Sequence, residues 1–393
     1  MRASEPTLPE PEDRIVATEP PSSLSDLPSP EPACGIESYL EERENALRLS
    51  ARCHQNYARY QASKRRSATV DYLPIKLDIE NVSRCNFRCS MCVVSDWVRG
   101  QRAKDMSWED FKRILDEQHG LLEIKLQGIG EPLLQGDEFF RMIRYARARH
   151  IWVRTTTNAS LLHLRENYKK LIDSGVNEVQ ISIDGATREV FEEIRGGSRF
   201  DRVRENCKLI NGYCDTLGRW PTKMWTVVQR GNAQQLSALV DLAAELGFRS
   251  QVFSLNLSDW GLKKWEERNR DEVVLDALDL ETLWGLVDRG RARGIRVAFW
   301  TVNQKYSTAA PDLLCPWPFE RAYVSSDLRV VPCCYLGNPD VYEIRETSDA
   351  NSGTVGTWLG PEYTAFRAAH LRGEVPEVCR GCYRSEARDP RDD

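Results

Sequence analysis

The sequence predicts an α/β protein: a parallel sheet, curled or closed, with a small cysteine-rich domain at its C-terminal end. Two observations predict it. Over residues 72–304 apolar strand-like runs alternate with amphipathic helical runs, as in repeated βα units. From about residue 305 the chain turns to short strands, turns and cysteines. A third observation points to function. Cys85, Cys89 and Cys92 directly follow the first strand, and chemistry in such sheets gathers at the C-terminal ends of strands.

The elements are justified in order. Residues 1–35 read as a disordered tail, since the first 33 residues hold eight of the nineteen prolines and seven acids against two arginines. Residues 36–71 follow as an N-terminal segment, helical over 36–66 through a partial stripe of Tyr39, Leu40, Leu47, Leu49, Tyr57 and Tyr60. That helix ends in the basic run Lys64, Arg65, Arg66. The run reads as a solvated helix end or as a docking patch for an acidic electron carrier. Strands are expected at 75–81, 123–128, 151–156, 178–183, 223–229 and 250–256, with helices at 107–118, 136–149, 161–174, 199–217 and 233–246. Ser107 ahead of Glu109 and Asp110 suits a helix N-terminus. A further helix at 280–293 and strand at 295–302 close the region. The C-terminal domain spans 305–393, with a hairpin expected around 324–331.

Composition narrows the function. A net charge of −5 with 29% charged residues does not suggest a nucleic-acid coat or a membrane-surface protein. No run of about 18 apolar residues offers a spanning helix, and the N-terminus has no apolar signal core, so a cytoplasmic location is expected. Twelve cysteines without a secretion signal suggest thiols used as ligands or in chemistry. Cys207 and Cys214, seven apart on one helix face, read as core or as a hydrogen-atom donor.

The C-x3-C-x2-C spacing of Cys85, Cys89 and Cys92 can hold three irons of a [4Fe–4S] cluster and leave the fourth open. A partial zinc site or buried structural thiols are the alternatives, and zinc normally wants four ligands. Further segments sit at successive strand ends: Gly128-Ile129-Gly130-Glu131-Pro132, then Thr156-Thr157-Asn158-Ala159, then Ser182-Ile183-Asp184-Gly185. In that order they resemble the radical S-adenosylmethionine superfamily. The resemblance implies a partial (βα)6 TIM-like barrel in which Cys85, Cys89 and Cys92 hold the catalytic cluster. It implies that S-adenosylmethionine lies near Gly128, Gly130, Glu131, Thr157, Asn158, Ser182, Asp184 and Arg195. The glycines would let backbone approach the methionine amino group. Many members carry an aromatic residue just before the third cysteine; this chain has Met91, whose thioether is expected to pack against adenine instead. The cofactor would be cleaved reductively to a 5′-deoxyadenosyl radical that takes a hydrogen atom from substrate, with an electron donor of flavodoxin or ferredoxin type.

A second group comprises Cys315, Cys333, Cys379 and Cys382, with Cys334 as a spare. Its pattern resembles the SPASM extension in its shorter, twitch-related form, which implies one auxiliary [4Fe–4S] cluster. Cys333 rather than Cys334 matches the motif position after the hairpin. A structural zinc ribbon is the alternative. Trp260, after the sixth strand, is expected either to meet substrate or to pack on the C-terminal domain. The expected substrate is a small molecule (a sugar, cyclitol or biosynthetic intermediate) that is dehydrogenated or rearranged. The first 70 residues show no three-strand, three-helix recognition module of the kind peptide-modifying relatives often carry. The alternatives are a peptide- or protein-modifying maturase and a non-catalytic metal-binding protein.

Overall fold

The computed structural model describes residues 23–98, 102, 104–345 and 353–384. Its strands are β1 (Lys76–Ile79), β2 (Arg88–Cys89), β3 (Glu123–Leu126), β4 (Trp152–Thr157), β5 (Glu178–Ser182), β6 (Arg195–Gly196), β7 (Thr222–Val227), β8 (Ser250–Ser254), β9 (Arg296–Trp300), β10 (Arg321–Val324) and β11 (Val330–Val331). Nine of them form one open sheet in the order β11-β10-β1-β3-β4-β5-β7-β8-β9, and β2 pairs with β6 in a separate ribbon. Every pairing in the large sheet is parallel except β10 with β11.

The expected six-strand core is present and extended at both edges. The strand expected at 295–302 becomes β9, parallel to β8. The expected hairpin becomes β10 and β11, and β10 pairs with β1 in the register Lys76↔Arg321. The C-terminal region therefore shares the main sheet across the boundary expected near 305. Local pattern marks that boundary, but a parallel partner 245 residues away leaves no local trace.

Alternation along the strands separates two environments. Leu77, Ile79, Ile124, Leu126, Val153, Val179 and Ile181 are buried against helices that supply Phe111, Phe139, Ile143, Leu171 and Ile210. Cys207 and Cys214 are fully buried in that layer, as packing predicts. The other face carries charge. Glu123 pairs with Arg154 and Arg321 at 2.8 Å each, Arg321 with Asp78 at 3.2 Å, and Lys223 with Glu178 at 2.9 Å. A cavity of about 1190 Å³ touches Lys76 on β1, Glu178 on β5, Lys223 on β7 and Trp300 on β9. One cavity shared by strands so far apart in the sheet means that the sheet curls around it.

Helix ends follow capping chemistry. Ser107 accepts from the Asp110 amide at 3.0 Å and opens the helix Trp108–Glu117. The single helix expected over 36–66 is two, Ile36–Leu49 and Ala51–Ser63, because Ser50 leaves the helical path and caps the second. Residues 23–35 differ from the expected disordered tail. Leu27 is buried, the Pro28 carbonyl accepts from the Phe299 amide at 2.8 Å, and Glu31 pairs with Arg296. The remainder of that expected tail, 1–22, lies outside the described residues.

Candidate active site and iron–sulfur centres

The three cysteines occupy the loop that leaves β1. Its return path is fixed by the β2–β6 ribbon, which pairs Cys89 with Arg195 and Arg88 with Gly196. A Cβ on Gly196 would lie 2.6 Å from the Arg88 carbonyl oxygen, so only glycine permits this approach. The ribbon brings the Arg195 guanidinium to 3.9 Å from the Cys89 sulfur. Cys85 receives the Phe87 amide at 3.5 Å and the Asn158 side-chain amide at 4.0 Å. Sulfurs ringed by N–H donors and a guanidinium suit ligands that carry negative charge.

Asp184 holds Arg195 in place. Its Oδ2 accepts from Arg195 Nε at 2.7 Å and pairs with Nη2 at 2.6 Å, while Oδ1 accepts from the Val227 amide at 2.8 Å. Burial opposes the Arg195 cation, but Asp184 and the Cys89 and Cys85 sulfurs outweigh it and hold its pKa above the ordinary value. Asp184, expected at the cofactor, thus has both carboxylate oxygens engaged by protein.

Glu131 is also enclosed. Its carboxylate accepts from Thr157 Oγ1 at 2.7 Å, the Asn158 amide at 2.8 Å and the Leu133 amide at 3.3 Å. Burial pushes its pKa up to about 7 despite those donors. It ties the β3 end to the β4 end and fixes Thr157 and Asn158. Gly128 and Gly130 have a different reason from the one expected. A Cβ on Gly130 would lie 2.4 Å from the Arg84 carbonyl and 2.5 Å from that of Val82, and one on Gly128 would meet the Glu80 side chain. The glycines let this loop nest against the cysteine loop.

Ser182 closes β5 with 8% exposure. Met91 is half-buried against the core, and its carbonyl accepts from the Trp260 indole at 3.2 Å. Trp260 belongs to the loop that packs on the C-terminal region, since a Cβ on the next residue, Gly261, would strike Leu336 at 2.9 Å. Glu80 escaped the sequence reading. Fully buried, it accepts from Arg102, from the Ile129 amide and from the Ser326 amide and hydroxyl. It joins β1, the glycine loop and the β10–β11 turn; a carboxylate ending an apolar strand was its only signal.

The second cysteine group also converges. Cys315 follows buried Leu314 and donates its amide to Tyr383 Oη at 3.0 Å. Cys379 and Cys382 lie in the 3-10 helix Glu377–Cys382, and the Cys382 carbonyl accepts from the Tyr306 amide. Cys315, Cys379 and Cys382 share one apolar cluster with Phe319 and Tyr383. Cys333 follows β11 against Tyr323 and Leu336. The Cys333 sulfur acts electrostatically on Cys315 and Cys379, whereas Cys334 lies near Asp78 and Lys125 of the charged inner face. All twelve cysteines are free thiols, and burial pushes Cys85, Cys92, Cys333 and Cys334 up to about 12. Among the described residues no three His, Cys, Asp or Glu side chains group as ligands of one metal ion. A cubane spreads its ligands over four irons, so two sets of convergent but separated thiols fit clusters.

Two family models match this chain. One, for the radical SAM superfamily, covers residues 81–221; the other, an iron–sulfur cluster-binding domain called SPASM, covers 315–383. The match to the mycofactocin maturase MftC of Mycolicibacterium smegmatis is 34% identical over 197 residues, 49% of this chain and 48% of that one. It therefore spans about half the length of that relative. The PqqA peptide cyclase of Bradyrhizobium diazoefficiens is 24% identical over 326 residues, 81% of each chain. Among solved structures, SuiB of Streptococcus suis bound to its precursor peptide SuiA aligns with a TM-score of 0.58 at 19% identity, covering 80% of this chain and 71% of SuiB. The protein anSMEcpe with AdoMet and the Cp18Cys peptide aligns at 0.53 and 20% identity, covering 79% of this chain and 88% of that one. These structures share the fold.

Proposed function

We propose that this chain, a member of the radical S-adenosylmethionine superfamily with a SPASM iron–sulfur domain, is an enzyme that modifies a peptide. The expectation of a sugar, cyclitol or other small-molecule substrate is corrected: the names of the PqqA peptide cyclase and of SuiB bound to its precursor peptide are those of proteins that act on or bind peptides. The missing N-terminal recognition module does not outweigh them, because a separate protein can present a peptide. The zinc-ribbon alternative likewise gives way to the iron–sulfur description of residues 315–383.

The observation that carries the reading is the Cys85, Cys89, Cys92 loop locked to Arg195 and Asp184 beside the Gly128–Pro132 turn. When bound, a [4Fe–4S] cluster and S-adenosylmethionine supply reductive cleavage of a sulfonium and hydrogen-atom abstraction. The chain's own residues do the rest. Cys85, Cys89 and Cys92 hold the cluster, and Arg195 sets a positive charge beside Cys89. Glu131 orders Thr157 and Asn158, Asp184 orders Arg195, and Gly128, Gly130, Ser182 and Met91 border the cofactor. Cys315, Cys333, Cys379 and Cys382 hold the auxiliary cluster, with Cys333 chosen over Cys334 for its action on Cys315 and Cys379. The charged inner face and its cavity supply polar partners for a peptide. An electron carrier of flavodoxin or ferredoxin type and a cytoplasmic location complete the reading. Among the described residues no helix is long and apolar enough to cross a membrane.

The test is anaerobic incubation of iron-loaded protein with reductant, S-adenosylmethionine and deuterated candidate peptides. Deuterium is expected in 5′-deoxyadenosine from one peptide. Equal turnover with small sugars and none with peptides sinks the substrate reading, and no cofactor cleavage at all sinks the enzyme reading.

A further inference from the structure

The basic run Lys64, Arg65, Arg66 has a defined place in the fold. It follows the helix Ala51–Ser63, and Lys64 and Arg65 both take left-handed backbone, with φ of 48° and 57°. The Arg65 guanidinium reaches across 247 residues of chain and donates to the carbonyls of Asp312, at 3.2 Å, and Leu314, at 3.0 Å. Leu314 is the residue before the cluster-type cysteine Cys315. The run is thereby fastened to the loop that enters the C-terminal cysteine site.

Lys64 and Arg66 are exposed and make no side-chain ion pair or hydrogen bond. A pocket of about 420 Å³ is lined by Tyr60, Gln61, the three cations, Pro311 and Asp312, so three positive charges face one carboxylate. On a chain of net charge −5 this patch has the opposite sign to the whole. Leu313, beside it in the turn Pro311–Leu313, is 48% exposed. An apolar contact rimmed by unpaired charge is the anatomy of a transient protein–protein interface. A solvated helix end would account for one favourable cation at the helix C-terminus. It does not account for an arginine committed to a distant cysteine loop beside two unpaired cations.

We infer that this patch docks a small acidic one-electron carrier protein, which delivers its electron through the Cys315 side of the C-terminal domain. The inference rests on the enzyme reading above, which supplies the need for electrons. In the step the reduced carrier loses one electron and the cysteine-bound cluster gains it; no bond or proton is exchanged. Arg65 anchors the patch, and Lys64 and Arg66 supply the attraction.

The experiment uses cluster-loaded full-length protein and flavodoxin as the probe. Calorimetry with oxidised flavodoxin at low salt is expected to show a Kd about tenfold or more weaker for Lys64→Glu with Arg66→Glu. Lys64→Gln with Arg66→Gln should fall between. The difference should shrink at about 0.5 M salt, where screening is nearly complete over a few ångströms. Dithionite-driven cleavage of S-adenosylmethionine should be unchanged in both variants, while flavodoxin-driven cleavage slows in parallel with binding. Unchanged flavodoxin affinity overturns the inference, whether or not binding of an oligo-glutamate peptide is altered. An equal loss with dithionite and flavodoxin also overturns it. Failure of dithionite-driven cleavage in the unaltered protein counts against the enzyme reading instead, and the binding measurement still decides the docking site.

Discussion

Replacing Asp184 by Asn tests the electrostatics of the cysteine loop directly. Asp184 is fully buried, and the Arg195 side chain is 10% exposed. The substitution keeps the volume and leaves Oδ1 to accept from Val227, so the change is confined to one charge. Removing one partner of a buried ion pair typically costs about 3–5 kcal/mol, because the remaining charge stays desolvated. The retained Val227 hydrogen bond places the expected loss near the lower end, about 3 kcal/mol, or roughly a hundredfold in the folded-to-unfolded ratio. Anaerobic urea unfolding of cluster-free protein, followed by tryptophan fluorescence, measures it. Cluster-loaded protein should lose less, since an anionic thiolate at Cys89 then faces Arg195. The control is Arg195→Met in both backgrounds: the double variant should be more stable than Asp184→Asn alone. If the two substitutions simply add, the stranded charge is not the cause and the reasoning fails.

Three other outcomes are expected. Gly130→Ala drives a Cβ into the Arg84 and Val82 carbonyls. It should cost about 1–3 kcal/mol and lower iron retention at the first site, which iron analysis against Gly136→Ala, a position with open space, will check. Cys333→Ser should reduce iron from about eight to about four per chain, whereas Cys334→Ser should keep about eight; the reverse pattern exchanges their roles. For Glu123, burial opposes the charge, but Arg154, Arg321 and Lys76 outweigh it and hold the carboxyl well below the usual range. Its folded pKa is depressed, so its stabilisation is complete above the unfolded value near 4.5 and fades as pH falls. Glu123→Gln should therefore flatten that acid limb and destabilise at neutral pH by about 3–5 kcal/mol. An unchanged acid limb by thermal melting from pH 6 to pH 3 would remove Glu123 from the account.

Much of the candidate site was legible because its signals are local. Three thiols within eight residues state their chemistry by spacing, and strand-end segments fall where βα periodicity puts them. The helix at Ser107 and the buried Cys207 and Cys214 followed from capping and face arguments alone. The tail was misread over residues 23–35 because proline and acid content measures low hydrophobicity. It does not record that Pro28 and Glu31 find partners on β9. The substrate was misread for a similar reason: a missing N-terminal module says little about a cavity assembled from seven strands.

By itself the sequence determined which atoms can bind iron and which segments alternate between strand and helix. Both are set by neighbours within a few residues, through ligand chemistry and periodic burial. Only the tertiary structure decided that Asp184 restrains Arg195 at Cys89, that Glu131 orders the β4 loop, and that β10 completes the sheet beside β1. It alone fastened Arg65 to the loop before Cys315. Those pairings depend on desolvated charges and hydrogen bonds meeting across tens to hundreds of residues, and chain order carries no record of which distant partner each group will meet.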